Sequence, residues 1–145
     1  MNDYPKESIE QSDYSTNIVC KENGRSFTLN NISKYYIRKI RVDGKLIKTG
    51  NKCDYAIDVA KKDTTEKIFL IELKGSDLSH ACKQINETYN YFKKNFQTDG
   101  YLFRIIVSKT KKPELNSIEY KKLMKLEKTD KINFRINTIK GQDVI

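Results

Sequence analysis

The sequence predicts an α/β fold, with a mixed central sheet flanked by helices. Three observations predict it. Residues 68–73 form a nearly continuous apolar run, the pattern of a strand buried on both faces at a sheet centre. Leu78, Ala81, Cys82, Ile85, Tyr89 and Phe92 follow at spacings that fall on one face of a helix. Residues 101–107, Tyr-Leu-Phe-Arg-Ile-Ile-Val, then form a second apolar strand, which a right-handed crossover would lay parallel in the same sheet.

Each element follows in order. Residues 1–17 are polar and are expected to be loosely ordered. Residues 17–29 are too weakly periodic to choose between helix and strand. Residues 34–42 alternate in part through Tyr36, Ile37, Ile40 and Val42 and read as a strand. Asp43-Gly44 signals a turn, with 45–47 returning as a short strand, and Gly50-Asn51 breaks the chain again. Residues 54–60 are the next strand, and 61–67 a polar hairpin loop. With the turn near Asp63, Asp54 falls across from Glu72. Ser76 or Ser79 is placed to cap the helix that follows. Pro113 sits in a loop, Ile118, Leu123, Met124 and Leu126 mark a second helix, and 132–137 alternate as an edge strand.

Composition narrows the class. The 145 residues suffice for one domain, spanning 1–145, with one core. Twenty-eight Lys and Arg against 19 Asp and Glu give a net charge of +9. That excess reads equally as a polyanionic partner or as a Lys-rich proteome. No apolar run approaches a membrane span and no signal-peptide core is present, so a soluble, cytoplasmic protein with no membrane partner is expected. Cys20, Cys53 and Cys82 are an odd number without CxxC spacing, which fits reduced thiols. His80 and Cys82 lack a matching pair, which argues against structural zinc.

The chemistry concentrates at two strand ends. Asp54 opens one apolar strand, and Glu72 and Lys74 close the other, two apart and so on one face. Buried charges without partners are costly. Two neighbouring carboxylates raise each other's pKa unless a cation lies between them. Such oxygen ligands suit Mg²⁺, and a nearby Lys can steady hydroxide or developing charge on phosphorus. Metal plus Lys suffices for phosphodiester hydrolysis. The plainer alternatives are a turn-capping Asp54, an exposed Glu72–Lys74 pair of little consequence, a helix-surface Gln84 and a structural Asp58.

Asp54, an apolar strand and Glu72-Leu73-Lys74, in the settings 52–55 and 71–75 and with Ala81 and Gln84 in the next helix, resemble the PD-(D/E)XK nuclease superfamily. The resemblance covers about residues 37–107, toward small prokaryotic or viral members. It implies a restriction-endonuclease-like αβββαβ core and a Mg²⁺-dependent endonuclease (Mn²⁺ substituting) acting on DNA, with RNA as the alternative. It implies Asp54, Glu72 and the Leu73 carbonyl as metal ligands, Lys74 as the group positioning water, and Gln84 beside them. Glu10 or Glu22 is open for the Glu that many members carry on an N-terminal helix. Cys53 stands where the motif often has Pro. Arg38, Lys39, Arg41, Lys45, Lys48 and Lys52 are expected to contact the nucleic-acid backbone, with further basic runs at 93–94 and 109–112. Tyr35, Tyr36 and Tyr55 are read as packing, or as base-stacking groups. Cutting both strands of a duplex suggests a homodimer. The competing reading is an inactive nucleic-acid- or protein-binding module on the same fold.

Overall fold

The computed structural model describes residues 1–73, 77–108 and 116–145. In chain order the elements are β1 (Ile9–Asp13), β2 (Asn17–Glu22), β3 (Arg25–Asn30), β4 (Tyr36–Arg41), β5 (Tyr55–Lys61), β6 (Thr64–Leu73), α1 (Leu78–Asn95), β7 (Tyr101–Val107), α2 (Ile118–Thr129), β8 (Asn133–Thr138) and β9 (Lys140–Val144). A six-stranded sheet runs β1-β4-β5-β6-β7-β8, and a three-stranded sheet runs β2-β3-β9. The protein is mixed α/β, with more strand than helix.

The meander β4-β5-β6 is antiparallel, and β7 and β8 then add in parallel through α1 and α2. The β5–β6 turn is Lys62-Asp63, both left-handed at φ 49° and 65°. That two-residue geometry matches strand twist, and a one-residue bulge beyond it, where Ala60 pairs with Thr65 but Val59 with Lys67, brings the register to Tyr55 opposite Ile71. β6 therefore begins at Thr64, four residues before the apolar run, inside the stretch expected to be loop.

Strand alternation divides the core in two. Ala56, Ile68, Leu70, Phe103 and Ile105 face Leu78, Ile85 and Phe92 of α1 and Leu123 of α2. Ile57, Val59, Phe69 and Ile71 face Ile18, Phe27 and Leu29 of the small sheet, where the Phe27 and Phe69 rings lie 5.9 Å apart. Each fully buried side chain of this size contributes about 1.5–3 kcal/mol. Both helices thus cover one face. The sheet is not flanked by helices on both sides, because β2, β3 and β9 cover the other face with their own apolar residues.

The structure corrects several local expectations. Residues 1–17 are not loose. Tyr4 and Ser8 are buried, and β1 pairs with β4. Residues 17–30 form a hairpin through Asn23-Gly24 at φ 50° and 79°, an Asn-Gly turn signal stronger than the weak periodicity around it. Residues 45–47 are turn rather than strand, apart from a bridge between Asp43 and Ile47. The α1 cap is Asp77, whose carboxylate accepts from the His80 N–H at 2.9 Å. Ser79 instead donates to Glu119 of α2 at 2.8 Å, and Ser76 lies outside the described residues. The succession β4-β5-β6-α1-β7 supplies βββαβ. Among the described residues no N-terminal helix precedes it, only strands and a three-residue 3-10 turn at Lys6–Ser8.

Candidate active site

The register that pairs Tyr55 with Ile71 brings Asp54 opposite Glu72 one step further on. The Asp54 N–H donates to the Ile71 carbonyl at 3.1 Å, and the Leu73 N–H donates to Asp54 Oδ2 at 2.8 Å. Both carboxyls are buried, at 8% and 2% exposure.

Helix α1 sets the position of Asp54 through the segment before it. Gln84 Nε2 donates to the Lys52 carbonyl at 3.1 Å, and the Cys53 N–H donates to Thr88 Oγ1 at 2.8 Å. The Thr88 hydroxyl donates to the Gln84 carbonyl at 2.7 Å, and the Asn51 N–H donates to Glu87 at 3.2 Å. Gln84, Glu87 and Thr88 lie within about one helical turn, so one polar edge of α1 holds three consecutive residues of the loop. Gln84 is therefore a positioning residue here. Its Oε1 is buried without a hydrogen-bond partner among the described residues.

A third carboxyl arrives from the other sheet. Glu22, at the end of β2, comes against Asp54 while its oxygens accept from Arg41 at 3.2 and 3.4 Å. Of the two open candidates, Glu22 joins the site, whereas Glu10 pairs with Lys39 at 3.3 Å. Burial pushes the Asp54 carboxyl up to about 6, and contact with Glu22 pushes in the same direction. The Leu73 N–H and Glu72 oppose that rise.

Asp54, Glu72 and Glu22 offer only oxygen, and Gln84 Oε1 adds an unused acceptor. That donor chemistry fits a hard divalent cation such as Mg²⁺. Among the described residues, no group of three or more His, Cys, Asp or Glu side chains is arranged to hold a metal ion. The carboxyls contact one another instead. Leu73 ends β6 at 3% exposure, and Lys74 lies outside the described residues.

The basic residues divide by environment. Arg38 is buried and paired with Asp58 at 3.2 Å, and it also donates to the Asn2 carbonyl at 2.6 Å. Asp58 is fully buried and further accepts from Tyr4 at 2.8 Å and Thr65 at 2.9 Å. This network clasps the N-terminal segment to the sheet, and it engages Arg38 away from any phosphate. Lys39 donates to the Val19 carbonyl at 2.8 Å, and Arg41 holds Glu22, so both join the two sheets. Lys52 donates to the Gly50 carbonyl at 2.9 Å. Lys45 and Lys48 are exposed on the loop that leads to Asp54. Tyr55 is buried beneath Arg41, 4.7 Å from its ring centroid, and is a packing residue. Lys93 lies over the Tyr89 ring, and the run at 109–112 falls outside the described residues.

Cys20, Cys53 and Cys82 are buried free thiols, and burial raises all three. Among the described residues no helix is long and apolar enough to cross a membrane. No protein-family model, curated protein or solved structure matches the chain.

Proposed function

We propose that the protein is a Mg²⁺-dependent endonuclease that hydrolyses phosphodiester bonds of DNA. The observation that carries this reading is the convergence of Asp54 and Glu72, buried at the ends of adjoining strands, with Asp54 held near 6. Such a site gains most from a cation. Asp54, Glu72 and the Leu73 carbonyl would hold it, and the bound metal would polarise phosphate and lower the pKa of water. Gln84 and Thr88 fix the backbone that carries Asp54. Lys74, two residues past Glu72, would hold the attacking water. In the hydrolysis a water oxygen bonds to phosphorus, the ester P–O bond breaks, and the leaving oxygen takes a proton. Lys45 and Lys48, exposed on the loop before Asp54, would contact phosphate. Two copies would serve the two strands of a duplex.

Incubation with plasmid, linear, branched and single-stranded DNA in Mg²⁺ or Mn²⁺ tests this. Cleavage should be lost in Lys74→Ala and Glu72→Gln. No cleavage of any substrate, or cleavage indifferent to Lys74→Ala, overturns it. RNA substrates run in parallel decide the sugar.

One observation favours a binding module instead. The Glu22 and Asp54 carboxyls already have protein donors in Arg41 and the Leu73 N–H. That reading predicts no calorimetric Mn²⁺ binding that disappears in Glu72→Gln.

A further inference from the structure

We propose that a groove at the other end of the sheet from Asp54 binds single-stranded nucleic acid, with a base stacked on Tyr14 and phosphates held by lysines. The groove has a volume of about 440 Å³, within the usual range for small-ligand sites. Its walls are the turn after β1, the 33–36 segment and the β5–β6 turn. Ala60 lines it, six residues along the chain from Asp54, or about 20 Å at ~3.3 Å per residue. The inference does not rest on the proposed hydrolysis.

Three features make this a built surface. Tyr14 is 63% exposed, and its ring packs against Tyr36 with centroids 5.2 Å apart. The Tyr36 hydroxyl is hydrogen-bonded to Ser12, so the Tyr36 ring is fixed, and Tyr14 packs on it tilted by 53° while staying largely exposed. Beneath them, the fully buried Asn31 locks two walls together. It donates to the Ser15 carbonyl at 3.1 Å and the Tyr35 carbonyl at 2.9 Å, and accepts from the Tyr35 N–H at 2.9 Å. Lys34, Lys61 and Lys62 are all exposed on the groove, against one acid, Asp63.

An exposed ring beside the Lys61 and Lys62 ammonium groups, with the Lys34 ammonium held by Thr16, matches what every nucleotide carries, a flat base and a phosphate. In a duplex the base faces are covered, so the surface selects single strands. An acidic peptide would engage the lysines and leave the ring unused.

Fluorescence anisotropy with labelled twelve-nucleotide oligo(dT) and oligo(U), in EDTA at low salt, tests the proposal without any cleavage. Tyr14→Ala should weaken binding about 5- to 150-fold, the usual effect of losing one stacked base. An abasic twelve-mer and a blunt duplex should bind more weakly and ignore Tyr14→Ala. The Lys61→Ala/Lys62→Ala double variant should flatten the salt dependence by about 1.4 in log–log slope. Tyr14-dependent binding of either oligomer supports the proposal, and the tighter one names the strand. Wild-type affinity in Tyr14→Ala, equal binding of the abasic strand, or no binding of either oligomer overturns it. A urea midpoint for Tyr14→Ala equal to wild type secures the comparison.

Discussion

Replacing Asp54 by Asn should stabilise the folded protein at neutral and alkaline pH. The carboxyl ordinarily ionises at 3.8 and here at about 6, chiefly because it is buried. Below pH 3.8 it is protonated in folded and unfolded chains alike, so the site carries no ionisation penalty. Between 3.8 and about 6 the unfolded chain has released the proton and the folded chain has not, so stability falls as pH rises. Above about 6 the loss is complete. Each pH unit of displacement is worth about 1.4 kcal/mol, which makes the full penalty about 3 kcal/mol. Asn cannot ionise, yet its Oδ1 can still accept from the Leu73 N–H. Urea unfolding in EDTA should therefore show Asp54→Asn about 2–3 kcal/mol more stable than wild type at pH 8, and nearly equal to it at pH 4. With a slope of about 2 kcal/mol per molar, the midpoint moves by about 1–1.5 M. Adding Mg²⁺ at pH 8 should raise the wild-type midpoint and leave that of the variant in place, by about 1.4 kcal/mol at ten times the dissociation constant. An Asp54→Asn midpoint at or below wild type at pH 8, or a difference that does not grow between pH 4 and pH 8, refutes the reasoning.

Other consequences are as direct. Arg38→Ala leaves the Asp58 carboxylate buried without its cation, so chemical denaturation should show a loss of about 3–5 kcal/mol. A loss under about 1 kcal/mol would show that Asp58 does not depend on Arg38 for its charge. Thr88→Val keeps the shape but strands the Cys53 N–H, which should cost about 1–3 kcal/mol in urea unfolding and, under the proposed activity, slow cleavage by freeing the segment ahead of Asp54. The three thiols should resist an aromatic disulfide reagent at pH 8 in the native protein and react together in denaturant, because each is buried.

Some of this site was readable along the chain. The apolar run 68–73 and the helical spacing from Leu78 to Phe92 are local periodicities, and they became β6 and α1 as expected. A turn near Asp63 was enough to set Asp54 close to Glu72, but the two-residue turn at Lys62-Asp63 alone would pair it one residue short, and the bulge between Val59 and Ala60 supplies the difference. The small sheet was not readable in the same way. β9 contains Gly141, Gln142 and Asp143 and has no apolar alternation. It is held by β3, more than 100 residues earlier, and by the ion pair from Asp143 to the buried Arg104 at 2.6 Å. The Asn23-Gly24 turn was the available signal for β2 and β3, whose own apolar periodicity is weak.

The sequence by itself determined the order of strands and helices around the site and the two carboxyls that face each other. Periodicity and turn chemistry act over a few residues, so they survive without a fold. Only the tertiary structure decided that both helices share one face, that Glu22 rather than Glu10 reaches Asp54, and that Arg38 is taken by Asp58. Those choices depend on which charged groups burial brings together. A buried charge keeps whichever partner the packing delivers: residues 22 and 54 become neighbours only when the small sheet closes over the large one, and residues 38 and 58 only through the β4–β5 register.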